Sequence, residues 1–158
     1  MNILVLCTGN SARSVLLEYI LNDLGEGRVR AYSAGSQPAG RVHPQTEALL
    51  GALGHDLRDA ASKSWDVFAA PDAPEMQAVI TVCGAAAGEV CPIWPGAPVR
   101  AHWGVEDPAA VAPADQPHAF RAAHDILRRR AVAFLDAPVE RLDAEALGAH
   151  LRQVGRLT

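Results

Sequence analysis

Lysine, cysteine, basic excess and long apolar runs are all scarce or missing in this chain. Lys63 is the only lysine; the other thirteen of its fourteen cations are arginines, which together with abundant alanine reads as codon usage. The formal net charge is −4. A protein that holds nucleic acid by neutralising phosphates is normally basic, so that class is disfavoured. No stretch approaches the roughly 18 apolar residues of a membrane span. Met1 to Leu6 is apolar but short and has no cationic flank, unlike a secretory signal. The expected compartment is therefore the cytoplasm, where thiols stay reduced. Three cysteines, Cys7, Cys83 and Cys91, cannot build a disulfide framework there. Each is either a buried small apolar residue or a chemical group.

What is present is ordinary globular material: 158 residues, 49% hydrophobic and 20% charged, with no internal repeat and no linker composition. That suits one domain with a sizeable core. Residues 1–137 are read as the main body and 138–158 as a helical extension of the same domain.

The periodicity alternates. Ile3 to Leu6 is a continuous apolar run, suited to a strand buried on both faces. From Ser14 the period turns helical, with Leu16, Leu17, Ile20, Leu21 and Leu24 on one face and Gly25 as the stop. Val29 to Ser33 reads as a second strand. Pro44 opens a helix lined by Leu49, Leu50 and Leu53. Ala78 to Val82 is a third strand, and Val99 to Trp103 a weaker fourth. Asp107 to Pro117, with three prolines, reads as a loop. Phe120, Ala123, Leu127, Ala131 and Phe134 then mark a long helix that ends before Pro138. A last short helix runs from about Asp143 to Val154. Arg128, Arg129 and Arg130 read as a solvated face, and Trp65, Trp94 and Trp103 as packing residues. This order predicts an α/β fold: a single-domain, doubly wound, four-stranded parallel sheet with helices on both faces. Ligands bind such sheets at the carboxyl ends of the strands.

Cys7-Thr8-Gly9-Asn10-Ser11-Ala12-Arg13-Ser14 lies at such an end, between the first strand and the first helix. The first N–H groups of a helix have no intrahelical partner and carry partial positive charge. Gly9 and Asn10 tolerate positive φ, so the backbone can curl its amides inward around a tetrahedral oxyanion. Thr8, Gly9, Asn10, Ser11 and Ala12 would supply the cradle, and Arg13 a bidentate clamp. The same field would lower the pKa of Cys7, and Ser14 could donate to its sulfur.

This C-x5-R-S segment resembles the loop of the low-molecular-weight tyrosine phosphatase superfamily, and more closely that of its thioredoxin-coupled arsenate reductases. The resemblance extends through Tyr32-Ser33-Ala34-Gly35, Val79-Ile80-Thr81-Val82-Cys83, Cys91-Pro92 and His102-Trp103-Gly104-Val105-Glu106-Asp107-Pro108, covering about residues 2 to 135. It implies that Cys7 attacks arsenic in arsenate, that Cys83 displaces arsenite, and that Cys91 carries the oxidation to a Cys83–Cys91 disulfide. Thioredoxin, or glutaredoxin with glutathione, would reset that disulfide. It implies Asp107 as the general acid. The stretch between Cys83 and Cys91 is one residue longer than in the compact relatives, and reads as either a short helix or a loose loop. Asn10, Glu18 and Ser33 match positions that hold a potassium ion in some relatives, but Lys63 stands at or beside the position of the fourth ligand. A cation there argues against the ion; the ammonium supplies the charge itself or is simply solvated. No cofactor is implied. The histidines show no metal spacing, and Cys83, Cys91 and His102 lack the close pairs of a structural zinc site.

Two other functions compete. A phosphotyrosine phosphatase would need only Cys7, Arg13 and Asp107, but Ala109-Ala110-Val111 stand where an aromatic wall is expected. A non-catalytic oxyanion sensor would need neither Cys83 nor Cys91.

Overall fold

In the computed structural model, residues 1–88, 94 and 96–158 are described. Four parallel strands form one sheet: β1 (Asn2–Leu6), β2 (Arg30–Ala34), β3 (Ala78–Thr81) and β4 (Val99–His102), in the order β2-β1-β3-β4. The helices are α1 (Arg13–Gly25), α2 (Pro44–Ala52), α3 (Gly84–Gly88), α4 (Gln116–Leu135) and α5 (Ala144–Gly155). Strand pairing Leu6 with Ala34 and Thr81, and Thr81 with His102, brings the carboxyl ends of all four strands to one edge. The chain winds one way from β1 to β2 and the other way to β3 and β4. The switch point therefore lies between the ends of β1 and β3, where a crevice opens in doubly wound sheets.

Side chains alternate across the pleat. Ile3, Val5 and Cys7 join Leu16, Leu17, Leu21, Leu127 and Phe134 of α1 and α4 on one face. Leu4 and Leu6 point the other way, to Phe68 of a 3-10 helix over Trp65–Ala69 and to Met76 and Trp94. The central strand is buried on both faces, as its unbroken apolar run requires.

The strand and helix assignments hold, with shifts at the ends. Helix α4 begins at Gln116, so Pro117 lies within its first turn, where a missing N–H costs nothing, and not in the preceding loop. The arginine triplet needs a larger correction. Arg130 is buried, three residues after Leu127 and four before Phe134, on the packed side of α4. Its Nε donates to the Leu157 carbonyl at 2.9 Å and its Nη1 to the Gly104 carbonyl at 3.0 Å. Trp94 and Trp103 are buried packing residues. Helix α5 lies against β4 and sends Leu147, Leu151 and Val154 into the same core as the rest of the domain. No helix among the described residues is long and apolar enough to cross a membrane.

Candidate active site

Cys7 leaves β1 and Cys83 leaves β3, so the two buried thiols flank the switch point of the sheet. Between Cys7 and α1 the backbone curls, and Asn10 takes the positive φ (45°) that the turn needs. Gly9 does not, and a methyl group there would meet only Ser11 Oγ at 3.8 Å. The carbonyls of the loop are taken up on its outer side. Thr8 O accepts from the Gln37 amide, Gly9 O from Ala39 N and Ser62 Oγ, and Ser11 O from His43 N and Thr46 Oγ1. Among the described residues the amides of Gly9, Asn10, Ser11, Ala12 and Arg13 meet no acceptor. A ring of amides without acceptors at the start of a helix is an anion nest.

Asn10 is fully buried and fixes this geometry. Its Oδ1 accepts from the Lys63 amide at 2.9 Å and its Nδ2 donates to Ser14 Oγ at 2.9 Å. The segment after β2 presses from behind. A Cβ on Gly35 would lie 2.4 Å from the Thr8 carbonyl and 2.7 Å from that of Cys7. In the sequence Gly35 stands out only within the Tyr32-Ser33-Ala34-Gly35 match. Its signal is the Ser-Ala-Gly ending of a strand that pairs with β1.

Arg13 extends from the first residue of α1. Its Nη1 donates to the Val105 carbonyl at 2.9 Å, and its Nη2 lies 3.7 Å from Asp107 Oδ2. Arg13 Nε is buried and has no acceptor among the described residues. Asp107 is half-exposed, and its Oδ1 accepts from the Ala109 amide at 3.0 Å. The carboxylate thus stands at the mouth of the nest beside the guanidinium.

The thiols are coupled. The Thr8 amide donates to Cys83 Sγ at 3.4 Å, Thr8 Oγ1 lies 3.7 Å from it, and the Ala86 amide at the start of α3 donates at 3.4 Å. The neighbouring Cys7 thiol first, and then the Ala86 and Thr8 donors, lower the pKa of Cys83 to about 5 against the opposing effect of burial. Cys7 moves the other way: the neighbouring Cys83 and burial raise its pKa, with the Arg13 charge opposing. This runs against the expectation of a lowered Cys7, because the neighbouring thiol and burial outweigh the Arg13 charge. Nor does Ser14 appear among the partners of Cys7; its oxygen is the acceptor for Asn10.

Of the two expectations for the stretch after Cys83, the structure shows a short helix, Gly84–Gly88. Cys91 lies outside the described residues.

Glu18 is half-buried, accepts from the Ser33 hydroxyl, and has its pKa raised by desolvation, with Ser33 and the Lys63 charge opposing. Asn10 Oδ1 is committed to the Lys63 amide, and the ammonium acts on Glu18. These residues do not fit a bound potassium ion, because the carboxylate already has a positive neighbour and the amide oxygen is engaged.

Comparison with known proteins agrees with the geometry. The profile of the low molecular weight phosphotyrosine protein phosphatase family matches residues 2–147. An arsenate reductase of Halalkalibacterium halodurans is 34% identical over 134 residues, covering 83% of this chain and 92% of that one. One from Bacillus subtilis is 34% identical over 104 residues, covering 66% and 71%. A solved arsenate reductase in its phosphate-binding state superposes with a TM-score of 0.67 at 26% identity, covering 85% of this chain and 96% of that one. A low molecular weight phosphotyrosine phosphatase of Vibrio cholerae shares the fold, with a TM-score of 0.67 at 20% identity over 86% and 95% of the two chains. With a cysteine at the mouth of an amide nest, an arginine one helical residue in and an Asp-Pro loop above them, the chain belongs to the low molecular weight phosphotyrosine protein phosphatase family, among relatives that are arsenate reductases.

Proposed function

We propose that this protein is an arsenate reductase working through a thiol relay. The observation that carries the reading is that Cys7 and Cys83 leave paired neighbouring strands, and the amide of Thr8, next in the chain to Cys7, donates to Cys83 Sγ at 3.4 Å. Phosphoryl transfer ends when water attacks the cysteine adduct and needs no second thiol. Reduction needs one within reach of the first.

The oxyanion is held by the amides of Gly9 to Arg13 and by the Arg13 guanidinium. The proton of Cys7 passes to the oxyanion, and its sulfur bonds to arsenic. One arsenate oxygen leaves as water, protonated by Asp107. The Cys83 thiolate then attacks Cys7 Sγ. The sulfur–arsenic bond breaks with its electron pair going to arsenic, so pentavalent arsenic becomes trivalent and arsenite departs. Both electrons come from the two thiols, which end as a Cys7–Cys83 disulfide. Cys91 attacks Cys83 and releases Cys7 as a thiolate, leaving a Cys83–Cys91 disulfide. A dithiol protein reduces that bond, either thioredoxin or glutaredoxin with glutathione.

Phosphate fits the same nest, so slow hydrolysis of small aryl phosphates accompanies the reductase activity. The test is arsenate-dependent oxidation of NADPH with the thioredoxin and glutaredoxin systems supplied in turn. Turnover with one of them is expected. Aryl phosphate hydrolysis without arsenate-dependent oxidation in either system would overturn the relay and leave a phosphatase.

A further inference from the structure

We propose that α5 and the chain end that follows it position the acid loop of the active site through Arg130. The proposal rests on the reading of Asp107 as the proton donor.

Among the described residues, three backbone atoms of the loop from Gly104 to Asp107 are tied to segments distant in the chain. Val105 N donates to the Val82 carbonyl at 3.1 Å, the Val105 carbonyl accepts from Arg13 at 2.9 Å, and the Gly104 carbonyl accepts from Arg130 at 3.0 Å. The first two ties come from the residue after β3 and from the start of α1. Among the described residues, the third alone comes from α4. The same guanidinium holds the Leu157 carbonyl beyond α5 at 2.9 Å, so Arg130 joins the acid loop to the end of the chain.

The helix secures the preceding residues as well. Trp103 Nε1 donates to the Leu151 carbonyl at 2.9 Å, with both residues buried. Gly155 fits so closely over the end of β4 that a Cβ there would lie 2.5 Å from the His102 carbonyl and 2.9 Å from Trp103 Cδ1. The backbone from His102 to Val105 is thus clamped between α5 and the sheet.

Arg130 is a costly way to make such a tie. It is buried, and among the described residues its partners are two carbonyls with no carboxylate. A buried charge without a counter-ion is destabilising compared with an apolar side chain of similar size. A positioning role accounts for the choice of residue: a planar fork spans two carbonyls at fixed angles, which an apolar side chain cannot do. Proton donation depends on placement to within a fraction of an ångström, and Asp107 lies three residues from the tethered carbonyl.

Single-turnover arsenite formation in the full-length protein, measured in a double-mutant cycle, tests the idea. Asp107→Asn is expected to slow the reaction about 100-fold, the ordinary share of a general acid. Arg130→Met keeps the volume but loses both hydrogen bonds, and a slowing of about tenfold is expected from a displaced donor. In the Asp107→Asn background the same Arg130→Met change should have almost no effect, because the group it positions is gone. Arg130→Lys keeps the charge but not the fork, should fall between wild type and Arg130→Met, and serves in its place if that variant does not fold. Equal slowing by the Arg130 substitution in both backgrounds would show a purely structural role and overturn the proposal. A wild-type rate in the Arg130 variant, with Asp107→Asn impaired, would overturn it too. If Asp107→Asn itself reacted at the wild-type rate, the acid assignment would fall and the proposal with it, an outcome separate from the other two.

Discussion

Gly35 lies so close to Thr8 that a single added methyl group would come within 2.4 Å of the Thr8 carbonyl oxygen. Both atoms belong to backbone, so neither can swing aside. The anion loop is therefore shaped from behind by the end of β2 as well as by its own sequence. Gly35→Ala is expected to cost about 1–3 kcal/mol, as overpacking does. It should also weaken phosphate or arsenate binding, because the displaced residue is part of the nest. Thermal unfolding with and without phosphate measures both; equal phosphate stabilisation of variant and wild type would show that the loop does not depend on this contact.

Cys7→Ser should abolish arsenite formation and aryl phosphate hydrolysis together, since the hydroxyl is a far weaker nucleophile than the thiol. Arg13→Lys should be impaired about 100-fold or more in both, because a point charge cannot reproduce the fork toward the oxyanion and toward Val105 at once. Substantial turnover by Cys7→Ser would remove the mechanism.

Substitution of the other thiols should split the two activities. Cys83→Ser and Cys91→Ser are expected to retain aryl phosphate hydrolysis and to lose multiple-turnover arsenate reduction. Either variant reducing arsenate at the wild-type rate would make that cysteine structural.

The Cys83 thiol, held near a pKa of about 5 first by Cys7 and then by the amides of Ala86 and Thr8, should remain ionised well below neutrality. Its rate of modification by a small alkylating agent should titrate with a low midpoint. In Cys7→Ser the strongest of these hydrogen bonds is weakened, so the midpoint should move up toward the ordinary thiol value. A midpoint that does not move would show that the two sulfurs titrate independently.

His124 is buried on α4, and burial lowers its pKa below the ordinary value of 6.5, with Asp125 opposing. The folded protein holds it neutral, and the unfolded chain takes up the proton more readily. The stability it contributes is complete above the unfolded value and is lost as pH falls below it, through the folded pKa. Unfolding midpoints should drop between pH 7.5 and pH 5.5, and His124→Gln should flatten that slope. An unchanged slope would assign the acid sensitivity to other groups.

The alternation of strands and helices was legible because the periods of 2 and 3.6 and the turn residues are local properties. The cradle was legible for the same reason: Cys7 to Ser14 is one continuous segment at a strand-to-helix junction. The start of α4 was also readable in principle, since Pro117 obeys the first-turn rule that placed Pro44 correctly. Arg130 was not. Its spacing from Leu127 and Phe134 sets it toward the core, but only the folded chain brings the Gly104 and Leu157 carbonyls to its guanidinium.

By itself, the sequence determined the strands, the helices and the anion loop, because each follows from residues close together in the chain. Tertiary structure alone decided the surroundings of the two thiols. Cys7 and Cys83 are brought together by the pairing of β1 with β3, and amides from Thr8 and Ala86 converge on the second sulfur. A pKa set by donors from separate segments cannot be read from either cysteine's neighbours in sequence, since it depends on distances that exist only after the strands have paired.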